Sequence, residues 1–195
     1  MKPLQHFLTI HEHRKQVRLG CFRVGLYWQG LTHDLSKYMP SEFLVGAKYY
    51  QGFRSPNNAE REEKGFSSAW LHHKGRNKHH FEYWIDYCLK NEADKVMIPS
   101  KMPNKYLVEM YMDRVAASAT YNKGHFTYDM PLAYYKKGKD HKMIEESTRQ
   151  ELEKLLMMLA KKGPDVTEKY IRTKLLKNHP GARIAEYFAC RNQSK

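Results

Sequence analysis

The sequence predicts an all-α protein that folds as a single domain. Apolar residues recur every three or four positions through most of the chain, which is the spacing that lines one face of a helix. No run alternates apolar and polar residues for long enough to predict a strand. At 195 residues the chain can bury one core of its own, and no linker or internal repeat divides it. We therefore expect one helical bundle covering residues 1 to 195.

Three helices are predicted in the first quarter of the chain. The first begins at Pro3 and breaks at Gly20, and its apolar spacing places His13 on the inward face. The second runs over about residues 21 to 29 and ends at a glycine. The third, at residues 41 to 50, opens on a serine, which is a typical N-cap.

A polar stretch and a histidine-rich stretch follow. Residues 51 to 65 carry turn-forming and charged residues, and we expect a loop there that lies over or beside the functional site. From Phe66 the pattern is helical again. An unbroken helix would place the four histidines of residues 72 to 80 on a single face, whereas a break at Gly75 would put a turn between two short helices. Either geometry lets the histidines converge.

The remainder of the chain is predicted to be helical. After a loop at residues 99 to 104, a helix extends to Thr120 and holds Asp113 on its inward face. The small residues that follow Asp113 permit close contact with other helices. Further helices are predicted at residues 131 to 138, 144 to 162, 165 to 177 and 183 to 190.

Composition favours a cytoplasmic protein that has affinity for polyanions. The formal net charge is +13 at pH 7, which suits nucleotides, nucleic acids or phosphorylated metabolites. The three cysteines are widely spaced, which argues against a disulfide framework and favours a reducing compartment. No stretch approaches the roughly eighteen apolar residues of a membrane-spanning helix, so no membrane partner is expected. The sequence leaves the oligomeric state undetermined.

The segment His33-Asp34-Leu35-Ser36-Lys37 carries the clearest chemical signal. An imidazole and a carboxylate on adjacent residues can bind a divalent metal ion, and a lysine one helical turn later can face an anionic substrate. Lys37 should project from the same side of this turn as His33 and Asp34. Further possible ligands lie along the chain, at His11, His13, His72, His73, His79, His80 and Asp113. This supply of ligands predicts a metal-dependent phosphohydrolase site.

The order of these residues resembles the HD-domain superfamily of metal-dependent phosphohydrolases, and within it the HD-GYP branch. The resemblance implies an HD-domain-like metal core at about residues 6 to 120, with the basic helices of about residues 131 to 190 outside it. It implies His13 as the first ligand, with His11 in reserve, and Lys37 as a contact to substrate phosphate. The other ligands that it implies are His33, Asp34, His73, His79, His80 and Asp113. The whole chain also resembles an uncharacterised bacterial and phage family known only as a domain of unknown function.

The predicted reaction is hydrolysis of a nucleotide or another small phosphoester by metal-activated water. One or two divalent ions are expected, and mixed histidine and aspartate ligation suits Fe, Mn, Zn, Co or Ni. Lys37 and Arg76 are predicted to offset negative charge on the phosphoryl oxygens. Glu42 and Glu82 are predicted proton acceptors for the attacking water.

Two other functions stay open from the sequence alone. A basic helical protein could bind nucleic acid or a protein partner without catalysis, its histidines serving only a structural metal or a polar core. Aromatic residues beside basic ones, as in Tyr134-Tyr135-Lys136-Lys137, suit stacking on single strands. The same ligands could instead hold two iron ions for redox chemistry. Weak, salt-sensitive nucleic-acid binding through the C-terminal lysines is a further expectation.

Overall fold

A computed structural model describes residues 1–88, 96–138 and 142–193, with side chains described through residue 191. It confirms the all-α class, because helices make up most of this part of the chain. The α-helices, in chain order, are α1 (Pro3–Arg23), α2 (Tyr27–Thr32), α3 (Pro40–Tyr49), α4 (Pro56–Lys64), α5 (Ser68–Lys74), α6 (Asn104–Tyr121), α7 (Met130–Lys137), α8 (Glu146–Tyr170) and α9 (Pro180–Gln193). Short 3-10 helices cover Leu35–Tyr38 and Phe81–Trp84, and a π-helical turn covers Ile171–Leu175.

Two strands form where the sequence predicted none. Strand β1 (Ile85–Tyr87) pairs antiparallel with β2 (Met97–Pro99), so that Ile85 lies opposite Pro99. The prediction that no strand forms was therefore wrong. Each strand has only three residues, which is too few for an alternating pattern to be detected against the surrounding helical spacing.

The first helix continues past its predicted end. α1 runs through Gly20 to Arg23. Gly20 serves close packing rather than a helix break, because a Cβ there would lie 2.8 Å from Met112 Sδ. The chain turns at Gly25, which has a φ of 81°. A Cβ there would stand 2.2 Å from the backbone of Gly181, so both the backbone angle and the contact require glycine. The predicted break at Gly20 and the predicted helix at residues 21 to 29 were wrong.

The polar stretch at residues 51 to 65 is not wholly a loop. Its second half forms α4, which opens on a proline and closes on Gly65 in the left-handed region. Glu60 fixes α4 to the next helix, because its carboxylate accepts hydrogen bonds from the hydroxyls of Ser67 and Ser68 at 2.7 and 2.6 Å. α5 then ends at Lys74, so the break at Gly75 is the geometry adopted.

The core lies around α6, which packs against both α1 and α8. The leucines predicted to form the apolar face of the long C-terminal helix are fully buried, at positions 152, 155, 156 and 159. α8 is interrupted at Gly163 (φ 77°), just before Pro164, at the predicted stop. None of the helices in the described ranges combines the length and the apolar character needed to cross a membrane.

Candidate metal centre

Four separate parts of the fold deliver the predicted ligands to one place. α1 contributes His13, and the turn after α2 contributes His33 and Asp34. α5 and the turn that follows it contribute the three later histidines, and α6 contributes Asp113. The predicted ligands that come within reach of one another are His13, His33, Asp34, His73, His79, His80 and Asp113. Residues from both ends of the predicted core therefore converge.

Asp34 lies at the centre of this convergence. Its side chain is 1% exposed and its backbone adopts a left-handed φ of 52°, alone among the described residues other than glycine. One carboxylate oxygen, Oδ1, lies 3.2 Å from His73 Nε2 and 3.3 Å from His79 Nε2. The other oxygen, Oδ2, lies 3.4 Å from His33 Nε2 and 3.9 Å from His13 Nε2. The two oxygens thus face two different sets of imidazoles.

Two groups of possible ligand atoms share Asp34, and a third set, His33, His79 and Glu109, also lies close together. We name the set His13, His33, Asp34 and Asp113 the first group, and the set Asp34, His73, His79 and His80 the second group. Within each group the ligand atoms lie no more than 4.8 Å apart. In the first group, Asp113 Oδ1 is 3.0 Å from His13 Nε2 and 3.7 Å from His33 Nε2.

These short distances do not correspond to hydrogen bonds. The Nε2 atoms of all five histidines and both oxygens of Asp34 are buried, and none has a hydrogen-bond partner in the described part of the chain. Buried polar atoms almost always have partners, and of these seven only Asp34 Oδ2 has one, the ion pair with Lys37 at 2.6 Å, so the other six require a reason. Lone pairs that point toward a common centre suit a cation, and mixed imidazole and carboxylate donors suit a divalent transition metal. Both groups therefore fit a metal ion.

An outer layer of carboxylates orients the imidazoles. Glu109 Oε1 lies 3.0 Å from Nδ1 of His33 and 3.1 Å from Nδ1 of His79. Glu42 Oε2 lies 2.8 Å from Nδ1 of His73. A carboxylate that accepts the Nδ1 proton leaves the Nε2 lone pair available to a metal. Glu109 touches the outer side of one histidine from each group, so it is placed as a support rather than as a ligand of its own.

Electrostatics differ sharply between neighbouring ligands. Burial opposes ionisation of Asp34, but His33 and Lys37 hold its pKa well below the usual range. Burial also opposes protonation of His79, but Asp34 and Glu109 raise its pKa to about 10. Burial and the adjacent His79 lower the pKa of His80 well below its ordinary value, so that imidazole is neutral at pH 7. The carboxylate at the centre stays charged and attracts cations.

Lys37 lies against this cluster rather than at the outer surface. Its Nζ is 2.6 Å from Asp34 Oδ2, and the side chain lines the adjoining cleft. Burial works against the ammonium form, but Asp34 and Asp113 raise the pKa of Lys37 above its ordinary value. The lysine therefore carries a positive charge at the boundary between the ligand groups and the cleft. Its predicted contact with substrate phosphate stays a prediction.

A cleft of about 880 Å³ opens beside the ligand groups. Ligand side chains form its inner end, and the stretch at residues 53 to 58 lines one wall, as predicted for the region beside the site. Cationic side chains are distributed around it, at Lys37, Arg54, Arg61, Arg114, Lys137 and Lys142. Aromatic rings line it too, at Phe53, Trp70, Phe81, Tyr121 and Tyr134. This surface suits an anionic ligand that carries an apolar or aromatic body.

The other predicted site residues are divided between the cleft and its surroundings. Glu82 lines the cleft, and burial raises the pKa of its carboxyl. Both oxygens of Glu42 are occupied, since Oε1 lies 2.5 Å from Nδ1 of His72. Arg76 is exposed, is not among the residues that line the cleft, and donates to the carbonyl of His72 at 3.4 Å. The exposed His11 stacks on Phe7, whereas His13 reaches the first group.

The alternative of one shared histidine face was wrong. α5 ends before Gly75, so His79 and His80 lie on a turn and not on the helix that carries His73. Asn77 bridges the turn to the His33–Lys37 segment, because its Nδ2 donates to Ser36 Oγ at 2.8 Å. Three imidazoles converge in this way, while His72 points toward Glu42 instead.

Sequence reasoning missed two residues of this region. Glu109 supports His33 and His79, and it precedes Asp113 by four residues, so both lie on one face of α6. That spacing was the available signal. Arg114 lines the cleft directly after the last ligand, and nothing in the sequence distinguishes it from the many other basic residues.

Comparison with known proteins identifies a family without assigning an activity. The model of a family of unknown function, DUF5662, matches residues 2–158, and the chain belongs to this family. All seven candidate ligands lie inside the matched residues. A search of curated proteins and a search of solved structures each found no match. The resemblance to HD-domain phosphohydrolases therefore stays a prediction.

Proposed function

We propose that this member of the DUF5662 family is a metal-dependent phosphohydrolase that acts on a nucleotide or another small phosphoester. The observation that carries the proposal is Asp34, a single buried carboxylate that faces one set of imidazoles with each of its oxygens, at the inner end of a cationic cleft. Two adjacent metal positions beside an anion-binding cleft suit displacement at phosphorus. Fe, Mn, Zn, Co and Ni are the metals that such ligands suit.

The first and second groups are the residues that would hold the ions. When bound, divalent metal ions acidify water and polarise the phosphoryl group. Glu109 and Glu42 keep the Nε2 atoms of His33, His79 and His73 turned inward before any ion arrives. We assign Glu42 this positioning role in place of proton transfer, because both of its oxygens are already occupied.

Substrate charge falls to the cations of the cleft. In this proposal Lys37 binds a phosphoryl oxygen, which its position beside Asp34 and in the lining of the cleft supports. Arg76 is exposed and does not line the cleft, so it has no substrate contact in the proposal. Fixed cations that face developing negative charge stabilise a phosphoryl transition state without rearranging.

Proton transfer falls to Glu82, the remaining predicted acceptor. Its Oε2 is buried in the cleft wall and has no hydrogen-bond partner among the described residues. Burial raises the pKa of this carboxyl above its ordinary value, and a more basic carboxylate is a better general base. Water oxygen forms the new bond to phosphorus, the ester oxygen leaves with its electron pair, and the proton that Glu82 accepts passes to the departing alcohol.

The decisive experiment compares wild type with Asp34→Asn. Asparagine has the same shape and tolerates a positive φ, so the change removes charge while preserving the backbone. Protein grown with Mn, Fe and Zn is assayed for bound metal, for thermal stabilisation by each ion, and for turnover of nucleotides and phosphodiesters. We expect wild type to bind metal stoichiometrically and to turn over substrate. In Asp34→Asn we expect metal affinity and turnover each to fall on the order of 100-fold.

The matched control is Asp129→Asn, which neutralises an exposed aspartate away from the ligands. It should behave as wild type in all three assays. Wild-type protein that retains no metal, gains no stability from any of the ions and hydrolyses nothing would refute the proposal.

A second function has its own support at the C-terminal end. α9 exposes Tyr187 and Phe188, and Arg191 lies 5.7 Å from the ring centre of Tyr187. Exposed aromatic and basic side chains suit stacking on single-stranded nucleic acid. If wild type shows no turnover but binds structured nucleic acid tightly, binding is the function. Oxygen consumption by iron-loaded protein would instead favour the redox alternative on the same ligands.

A further inference from the structure

The cleft carries a second cationic position beyond the metal ligands. Arg114 follows Asp113 on α6 and lines the cleft with Lys142. Both cations lie over the same aromatic ring, because Arg114 Cζ is 5.7 Å and Lys142 Nζ is 5.0 Å from the centre of Tyr135. Two positive charges therefore lie beside one ring and line the same cleft.

No carboxylate among the described residues forms an ion pair at contact distance with either cation, although Asp113 and Glu82 are near Arg114. Nε of Arg114 is buried without a hydrogen-bond partner among the described residues, and Nη2 donates only a long hydrogen bond, at 3.9 Å, to Met110 Sδ. Glu82 is the nearby carboxyl on the cleft wall, and its Oε2 is likewise unpaired, so the two groups are neighbours without hydrogen bonding. A buried guanidinium costs free energy unless an anion pairs with it, which leaves this position suited to an anion from a ligand.

Two other cations of the cleft, Arg54 and Lys37, differ in this respect. Arg54 makes a two-pronged ion pair with Glu62, with both nitrogen to oxygen distances at 2.6 Å. Its charge is therefore already compensated. Lys37 lies 2.6 Å from Asp34 and belongs to the metal end. Arg114 and Lys142 form a distinct position, in which Arg114 Nε is a buried donor without a hydrogen-bond partner among the described residues.

We infer that Arg114 and Lys142 bind a second phosphoryl group of the substrate, so that the substrate is a small molecule with two phosphoryl groups. The inference rests on the proposed function, since the scissile phosphoester would occupy the metal end near Lys37. The planar guanidinium of an arginine can donate two parallel hydrogen bonds to the non-bridging oxygens of a terminal phosphate. The rings of Trp70 and Phe81 in the same cleft provide apolar surface for the body of the molecule between the two phosphates.

The test measures binding rather than turnover. Calorimetry compares adenosine monophosphate with adenosine diphosphate and adenosine 3′,5′-bisphosphate, using protein loaded with Mn and protein free of metal. We expect at least one two-phosphate probe to bind wild type about ten-fold more tightly than the monophosphate. Arg114→Gln should reduce that preference to less than about two-fold while leaving Mn binding unchanged.

Two further variants make the result specific. Arg54→Gln removes a cation from the same cleft whose charge is already paired, so it should keep the wild-type preference. Arg114→Lys keeps the charge and loses the planar guanidinium, so it should show an intermediate preference and serves as the folded variant if Arg114→Gln is unstable.

Three outcomes would overturn the inference. Arg114→Gln or Arg114→Lys could keep the full preference, or Arg54→Gln could lose as much of it as Arg114→Gln. A phosphate with a carboxylate, such as 3-phosphoglycerate, could gain as much affinity as the bisphosphates and so assign the position to any anion. Because only binding is measured, absent turnover would refute the proposed hydrolysis and leave an Arg114-dependent preference standing as a separate result.

Discussion

Glu109 offers a sharp test of the two-group arrangement, because it supports one imidazole from each group. Its Oε1 lies 3.0 Å from His33 Nδ1 and 3.1 Å from His79 Nδ1. Glu109→Gln keeps the size of the side chain but removes the charge that both imidazoles face. Loss of such an outer carboxylate weakens metal affinity by about 10- to 100-fold, or roughly 1.4 to 2.7 kcal/mol. We expect Glu109→Gln to lose this much affinity at both metal-binding steps, because Glu109 supports one histidine of each group.

Glu42→Gln provides the contrast within the same site. Glu42 supports His73 of the second group and touches no histidine of the first. It should therefore weaken one of the two metal-binding steps by a similar factor and leave the other near wild type. Competition titrations with a chromophoric chelator, using Mn and Zn separately, resolve the two steps and give the affinity of each.

Glu168→Gln is the control that separates a loss of metal affinity from the general effect of removing a buried carboxylate. Glu168 is 7% exposed and pairs with Arg23 at 2.7 Å, away from both groups. It should lower the melting temperature without changing either metal affinity. Wild-type affinity for both ions in Glu109→Gln, or an equal loss in Glu168→Gln, would refute the reasoning that outer carboxylates orient the ligands.

Two further predictions concern a substrate contact and acid stability. Lys37→Met should leave metal content unchanged and lower kcat/KM on the order of 100-fold. Unchanged kinetics would show that the lysine only neutralises the charge of Asp34. Burial opposes ionisation of Glu60, but hydrogen bonds from Ser67 and Ser68 lower its pKa to about 2. Since the folded pKa is lower than the unfolded one, its stabilisation is full above about pH 4.5 and is lost as the pH falls toward 2. Glu60→Gln should cost about 1 to 3 kcal/mol in urea unfolding at pH 7. This cost should shrink near pH 2, and a pH-independent cost would contradict the assignment.

Much of the fold and of the candidate ligand set could be predicted from the sequence, because both depend on periodicity and residue type. The helical spacing of α1 placed His13 inward, and the helix is buried along that face. The leucines of α8 were predicted in the same way. Asp113 was predicted to face inward from its position on α6, and it reaches His13.

The outer parts of the site could not be predicted, because their roles arise only from tertiary contacts. Glu109 shares a helix face with Asp113, but that spacing does not show that its carboxylate contacts His33 and His79. Arg114 is one of 34 lysines and arginines, and only its burial beside the cleft distinguishes it. Helix propensity alone does not decide whether Gly75 breaks the helix. The outcome also depends on the free energy gained when the turn brings His79 and His80 beside Asp34, and that contact is tertiary.

The contact between Gly25 and Gly181 ties the order of chain synthesis to formation of the site. Gly25 sets the corner from which α2 leads to His33 and Asp34, and the backbone of Gly181 closes that corner from the C-terminal side. Arg172 adds to the closure by donating to the carbonyl of Arg23. Every candidate ligand is translated by residue 113, yet this clamp is not complete until residue 181 has left the ribosome. A nascent chain, or one cut at residue 158, would hold all the ligands without the clamp that fixes their central turn.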